Sequence, residues 1–236
     1  MASLDSNRGA KRAREARVAL GLDPVAPLED VLDAVETRSP VIVAALPEDV
    51  AGACVGGRIL WVNGSQFAPR QRFTLAHEFG HAWIGHDGRL EPDTVATLNG
   101  RTSNPYEIQA NAFAAEFLVP KAGLDRFESE PTLEDVVRMA ADYGVSAPAM
   151  VIRLEQCTLA SPARIARLRG EVDEGLHGYL RIEPLGDRLE RIDSLPYLSP
   201  SLLGSHLAAA LRGDAPVDRG VATAIERLMT RRATNL

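Results

Sequence analysis

The sequence "HEFGH" at residues 77–81 places two histidines four positions apart, with a glutamate directly after the first. On a helix, the side chains of His77 and His81 differ by about 40° in direction, so both imidazoles can reach one metal ion. Glu78 lies beside these ligands, where a carboxylate can act as general base toward a water molecule. The pattern therefore predicts a metal-binding catalytic helix.

The residues around this motif predict a helix that also belongs to the protein core. Residues 69–85 are apolar around most of the helix, and Pro69 is tolerated in the first turn. Gly80 has no side chain beside the histidine face, which leaves room for a packed element or a substrate. Two histidines buried for packing alone are the alternative, but the full motif arises by chance in only about one per cent of such chains.

A catalytic zinc site needs a third protein ligand and keeps its fourth position open. In the predicted helix 106–119, Glu107 and Asn111 share one stripe, whereas Glu116 falls on the opposite side and is expected to face outward. We expect Glu107 to be the third ligand and Asn111 to orient a ligand histidine. Two imidazoles and a carboxylate favour Zn²⁺, with Mn²⁺ or another divalent ion as the alternative.

The other histidines are less suited to metal binding. Continued along the same helix, His86 projects about 180° from His77, on the opposite face. With Tyr106 it remains a candidate donor to an oxyanion. His177 and His206 fall in segments that we expect to be peripheral.

Hydrophobic periodicity predicts mixed secondary structure before the second helix. Helices are predicted at 8–20 and 27–37, strands at 41–46 and 57–63, and a polar loop at 86–105. The second strand, "GRILWVN", is either an ordinary core strand or a sheet edge on which an extended substrate pairs.

The later sequence predicts a different organisation. Residues 132–157 form two helices joined at 143–146, with helix-turn-helix spacing, and residues 178–192 suggest a hairpin before a helical end. The expected fold is α+β. It comprises a small zincin-like core with N-terminal helices (1–128), a helix-turn-helix-like segment (129–160) and a C-terminal hairpin and helical region without an assigned role (161–236).

Composition excludes several classes of protein. The formal net charge of -6 argues against a broad basic surface. The basic residues at 8–17 are expected on a solvated helix face, with a nucleic-acid-binding arm as the alternative. Cys54 and Cys157 are widely separated, which indicates reduced thiols rather than a disulfide framework. No segment resembles a signal peptide or a membrane span, so we expect a cytoplasmic protein with no membrane partner.

Two segments, "RQRFTLAHEFGHAWIGH" and "EIQANAFAAEFLVP", resemble signatures of the ImmA/IrrE family of metallo-endopeptidases. The resemblance extends from about residue 14 to residue 157. It implies that His77, His81 and Glu107 bind zinc and that Glu78 is the catalytic base, and Asn111 fits the second signature. It also implies a helix-turn-helix transcriptional repressor as substrate, cleaved to relieve repression in a stress, DNA-damage, mobile-element or toxin–antitoxin context.

Two other functions compete with proteolysis. One is a DNA-binding regulator that reads DNA through residues 132–157 and has a structural metal site. Acidic residues outnumber Arg138 and Arg153 in that segment, whereas phosphate contacts require basic residues. The other is a protein that holds a repressor without cutting it, which the intact Glu78 disfavours.

Overall fold

The computed structural model describes residues 3–44, 46, 49–55, 57–86, 93–100, 102–124, 130–173 and 197–198. In this part of the chain the elements follow one another as α1 (Leu4–Ala19), α2 (Val31–Glu36), β1 (Val41–Ala44), β2 (Val50–Val55), β3 (Ile59–Asn63), α3 (Ala68–Ile84), β4 (Asp93–Thr94), α4 (Val95–Leu98), α5 (Pro105–Leu118), α6 (Lys121–Leu124), α7 (Leu133–Tyr143), α8 (Ala147–Gln156), α9 (Pro162–Asp173) and β5 (Tyr197–Leu198). The α+β class predicted from the sequence is confirmed.

The strands form one sheet in the order β4-β2-β3-β1-β5. β1 runs parallel to β3, β2 runs antiparallel to β3, and the two-residue strands β4 and β5 lie at the ends. Leu60 of β3 pairs with Val41 on one side and Cys54 on the other. The hypothesis that "GRILWVN" offers a free edge to a substrate is therefore wrong, because this strand is interior.

Two features of the sheet differ from the sequence predictions. The strand β2, "VAGACV", was not predicted, because glycine and alanine have low strand propensity and only its pairing with β3 makes it a strand. The predicted loop 86–105 contains β4 and the single turn α4. Both are short elements whose hydrogen bonds depend on neighbours elsewhere in the chain.

The motif helix α3 lies at the centre of the molecule. It packs against β2, β3, α1, α2 and α5, which explains why apolar residues occur around most of its circumference. Leu75, Ala76 and Phe79 are fully buried or nearly so and belong to one core cluster with Phe113 and Phe117 of α5. The prediction of a core helix is confirmed.

Buried charges join the helices that surround this core. Arg17 of α1 is 1% exposed and donates hydrogen bonds to the backbone oxygens of Phe117 and Asp23, so the first helix is not solvated at this position. The outward position predicted for Glu116 is also wrong. Its carboxylate is buried and pairs with Arg153 of α8 and Arg14 of α1, because helices pack on this side of α5 as well.

The predicted helix pair at 132–157 corresponds to α7 and α8. A capping box joins Thr132 and Asp135, and Gly144 ends α7 in the left-handed region with φ of 65°. Ser146 then caps α8. Buried side chains of both helices, among them Val136 and Met150, join the same core cluster as α3, so buried contacts cross the predicted boundary at residue 128, which itself stays a prediction.

The predicted hairpin at 178–192 and the helical C-terminal end lie outside the described residues. Within the part of the chain that the structure covers, no helix is both long and apolar enough to cross a membrane.

Candidate metal centre

The centre is built first by α3, which begins after Phe67 with Pro69 in its first turn. His81 lies four positions after His77, so their side chains lie one turn apart on one face. Both are buried, at 0% and 2% exposure. Their Nε2 atoms lie 3.1 Å apart, which directs both imidazoles to the same point.

The third donor comes from the first turn of α5. Asn104 caps this helix by accepting a hydrogen bond from the Tyr106 N–H, and Glu107 follows, 2% exposed. The Glu107 Oε2 atom lies 3.2 Å from His77 Nε2 and 3.5 Å from His81 Nε2. The structure thus brings together the three ligands predicted from the sequence as one buried group.

These three atoms fit a divalent metal ion. Their separations of 3.1, 3.2 and 3.5 Å form a nearly regular triangle. Tetrahedral coordination at zinc–ligand distances of about 2.0–2.1 Å separates neighbouring ligand atoms by roughly 3.3–3.4 Å. Two neutral imidazoles with one carboxylate are also a donor set that divalent transition metals bind readily.

The close approach of α3 and α5 depends on Gly80. A Cβ atom at this position would lie 3.0 Å from the Phe113 ring, so a larger residue would push the two helices apart. Of the two uses predicted for the space beside Gly80, the structure shows the packed element. The same approach sets Glu107 against the two histidines.

Asn111 orients His77. Its Nδ2 atom donates to the backbone oxygen of Thr97 at 2.9 Å, so its Oδ1 atom faces His77 Nδ1 at 3.0 Å and accepts a hydrogen bond from it. With the proton on Nδ1, the His77 Nε2 atom presents a lone pair to the metal position. The contact predicted for Asn111 is present.

Glu78 is fully buried beside the ligand face, and β2 passes directly over it. A Cβ atom at Gly52 of β2 would lie 2.9 Å from Glu78 Oε1 and 2.5 Å from the backbone oxygen of Trp61. Gly52 was missed in the sequence analysis. A glycine inside a strand often marks such a close approach, but β2 itself was not recognised as a strand.

His86 does not lie on the opposite face, so that prediction is wrong. α3 ends at Ile84, and Gly85 adopts a left-handed conformation with φ of 81°, which turns the chain back. His86 Nδ1 then lies 2.9 Å from His81 Nδ1, and its Nε2 lies 3.3 Å from Gln109 Oε1. Because both ring nitrogens face protein partners, the structure does not support His86 as an oxyanion donor.

Tyr106 packs against the His86 ring, with centroids 4.8 Å apart, and is 53% exposed. Its role as an oxyanion donor stays a prediction. His177 and His206 lie outside the described residues.

Comparison with known proteins agrees with this geometry. Residues 42–155 match a family model described as the IrrE N-terminal-like domain. Over 105 residues, the chain is 33% identical to a protein of Deinococcus radiodurans named radiation response metalloprotease IrrE. The alignment covers 42% of this chain and 31% of that protein, so the chain spans about a third of the length of this relative.

The matched region contains all three donors, Glu78, Gly52, the whole of α7 and all of α8 except its last residue. Over residues 42–155, the comparisons therefore support the resemblance of this chain to the ImmA/IrrE family of metallopeptidases.

Proposed function

We propose that this protein is a zinc-dependent endopeptidase that hydrolyses a peptide bond in a protein substrate. The observation that carries the proposal is the buried triangle of His77, His81 and Glu107 donor atoms with the Glu78 carboxylate beside it. A metal site that served only to stabilise the fold would not require this buried glutamate next to the first ligand.

The chain's own residues divide the chemistry between them. A zinc ion held by the three donors would polarise a carbonyl group and make a water molecule more acidic. Glu78 accepts the proton of the attacking water and transfers it to the leaving amine. Asn111 keeps the His77 imidazole in one tautomer, and Gly52 leaves the space that the Glu78 carboxylate occupies.

We propose a helix-turn-helix transcriptional repressor as the substrate, cleaved to relieve repression in a stress or mobile-element context. The family resemblance supports this class of substrate, and the name of the Deinococcus radiodurans relative supports a stress response.

Sequence-specific DNA binding through α7 and α8 is the less supported alternative. Arg153 of α8 is 7% exposed and is bound to Glu116 and to the Val119 backbone oxygen. Arg138 of α7 pairs with Asp135 at 2.7 Å. Arg153 is therefore buried and paired, and the exposed Arg138 lies beside an acidic side chain, so this segment offers little basic surface for phosphate groups.

The test is incubation of the purified full chain with Zn²⁺ and the repressor encoded beside its gene. We expect cleavage by the native protein, and a loss of about 10²–10⁴-fold for Glu78→Gln with zinc still bound, because only proton transfer is removed. The matched control is Glu134→Gln, an exposed glutamate of α7, which should cleave normally.

Three results would contradict the proposal. A fully active Glu78→Gln variant would refute the role of this residue. Retardation of DNA in a gel without cleavage of the repressor would favour a regulator. Repressor binding without cleavage by the zinc-loaded native chain would favour a protein that only holds its partner.

A further inference from the structure

A chain of hydrogen bonds leads from the metal centre to the first helix. His81 Nδ1 contacts His86 Nδ1 at 2.9 Å, and His86 Nε2 contacts Gln109 Oε1 at 3.3 Å. Gln109 Nε2 then donates to Asp5 Oδ1 at 2.7 Å. His81, His86 and Gln109 are buried, and Asp5 lies in the first turn of α1.

The direction of each bond follows from the one that ends on Asp5. A carboxylate only accepts hydrogen bonds, so the Gln109 amide must turn its NH₂ group toward Asp5 and its oxygen toward His86. His86 therefore carries its proton on Nε2, and its Nδ1 atom accepts. The proton between the two histidines belongs to His81 Nδ1, which leaves the His81 Nε2 lone pair directed at His77 and Glu107.

Two backbone features hold this chain of bonds together. Gly85, in the left-handed conformation, allows the His86 N–H to bond the His81 carbonyl at 3.0 Å, which brings the His86 ring back to His81. Gly9 of α1 packs directly on α5, because a Cβ atom there would lie 2.1 Å from the Gln109 backbone oxygen. The first helix therefore packs closely against Gln109, the residue whose side chain donates a hydrogen bond to Asp5.

We propose that His86, Gln109 and Asp5 are positioning residues of the metal centre, which hold His81 in the tautomer that binds metal and make α1 part of the site. They act through His81 as Asn111 acts through His77. The inference rests on the proposed metal site but not on peptide hydrolysis. Partners of this kind raise metal affinity by about 10–100-fold when they orient a ligand imidazole.

The first experiment measures metal affinity. Zn²⁺ is titrated into the metal-free full chain in competition with a chromophoric chelator, for the native protein and for His86→Phe, Gln109→Leu and Asp5→Leu. We expect affinity to fall by about 10–100-fold for His86→Phe, which keeps a ring against Tyr106. Asp5→Asn retains an acceptor oxygen and should bind zinc more tightly than Asp5→Leu.

A matched control separates positioning from general loss of stability. Glu134→Leu removes an exposed acid from the first turn of another helix, α7, and should leave zinc affinity unchanged. Thermal unfolding of each metal-free variant shows whether it folds.

The second experiment observes the tautomer itself. Proton–nitrogen correlation spectra of the metal-free, ¹⁵N-histidine-labelled chain, at a pH where imidazoles are neutral, distinguish a proton on Nδ1 from one on Nε2. We expect His81 to be protonated on Nδ1 in the native chain and to give a mixture in Gln109→Leu, a change that a purely structural role would not produce.

The outcomes separate this inference from the proposed function. Native zinc affinity in folded His86→Phe and Gln109→Leu variants, or a His81 proton on Nε2, would overturn the inference alone. A native chain that binds zinc but cuts no repressor would refute the peptidase while the affinity series still decides the inference. A native chain that does not bind zinc would overturn both.

Discussion

At the scale of single residues, the space around Glu78 is set by a residue on another element. Gly52 belongs to β2, whose pairing with β3 holds its backbone in place. Any side chain at this position meets three groups, the Trp61 carbonyl, the Thr74 methyl group and the Glu78 carboxylate, and at least one of them must move. Since Trp61 lies in the interior strand β3 and Thr74 is β-branched and fully buried, the carboxylate is the group that can move more easily.

We therefore predict that Gly52→Ala lowers peptidase activity by about 100-fold, the effect of displacing a catalytic group by about 1 Å. Zinc affinity should remain near the native value, because the three atoms nearest to a Cβ atom at this position belong to Trp61, Thr74 and Glu78 and not to a metal ligand. Cleavage of the repressor and zinc titration measure the two effects separately.

Gly170→Ala is the matched control for that prediction. Among the described residues, no atom beyond the local helix backbone lies within 4 Å of a Cβ atom built at Gly170, so the change should leave activity intact and raise helix stability by up to about 1 kcal/mol. Equal activity in the Gly52→Ala and native proteins would show that β2 does not constrain Glu78.

At the scale of elements, the ends of α7 are defined by local hydrogen bonds. The Asp135 carboxylate accepts hydrogen bonds from the Thr132 backbone N–H at 2.9 Å and from the Thr132 hydroxyl at 2.7 Å. The backbone bond is the main reason why the pKa of Asp135 is lowered from its usual value. The capping box was predictable in part from the sequence, because Thr132 stands directly before an apolar periodic segment.

The lowered pKa predicts how this cap depends on pH. A carboxyl whose pKa is lower in the folded than in the unfolded state stabilises the fold above its unfolded pKa, and this contribution is lost as the pH falls through the folded pKa. We predict that Asp135→Asn costs about 1 kcal/mol near neutral pH and that the difference from the native protein shrinks in acid.

Urea unfolding at a series of pH values measures this effect. Glu134→Gln is the control, because Glu134 lies in the same first turn of α7 but is exposed. Its cost should be smaller at every pH. A pH profile for Asp135→Asn that is no different from that of Glu134→Gln would contradict the role assigned to the cap.

At the scale of the whole molecule, one buried ion pair connects the metal-binding helices to the helix pair. Glu116 of α5 and Arg153 of α8 are 4% and 9% exposed in their side chains, and Arg153 also bonds the Val119 carbonyl at 2.8 Å. Around this pair, residues of α3, α5, α7 and α8 form one hydrophobic cluster. The metal-binding helices and the helix-turn-helix-like segment are therefore expected to unfold together.

We predict that Glu116→Gln destabilises the full chain by about 3–5 kcal/mol, because it leaves the buried Arg153 without its carboxylate partner. Arg153→Met should cost less, because Arg14 still pairs with the Glu116 carboxylate. The double variant should cost less than the sum of the two, since no unpaired charge remains from this pair. Urea unfolding monitored by circular dichroism provides the free energies.

The exposed pair of Glu155 and Arg169 supplies the control. Its side chains are about half exposed, so Arg169→Met should cost no more than about 1 kcal/mol. Additive effects in the Glu116 and Arg153 variants would contradict the assigned coupling, and two separate unfolding transitions would contradict common unfolding of the two segments.

The metal-binding group was the part of the site that the sequence determined by itself. Helical periodicity is local, so the four-residue spacing of His77 and His81 and the stripe of Glu107 and Asn111 could be found without knowing the fold. The α+β class and the two helices at 132–157 could also be predicted, because their patterns and caps lie within each element.

Only the tertiary structure decided which residues of other elements each helix or strand contacts. Glu116 was placed outward because a helical wheel of α5 contains no information about α1 and α8, and His86 was misplaced because extrapolating α3 ignored the turn at Gly85. Three further features depend on contacts between residues that are distant in sequence. These are the interior position of β3, the close approach of Gly52 to Glu78 and the hydrogen bonds that lead from His81 to Asp5. Such contacts depend on packing and chain reversal, which no local pattern encodes.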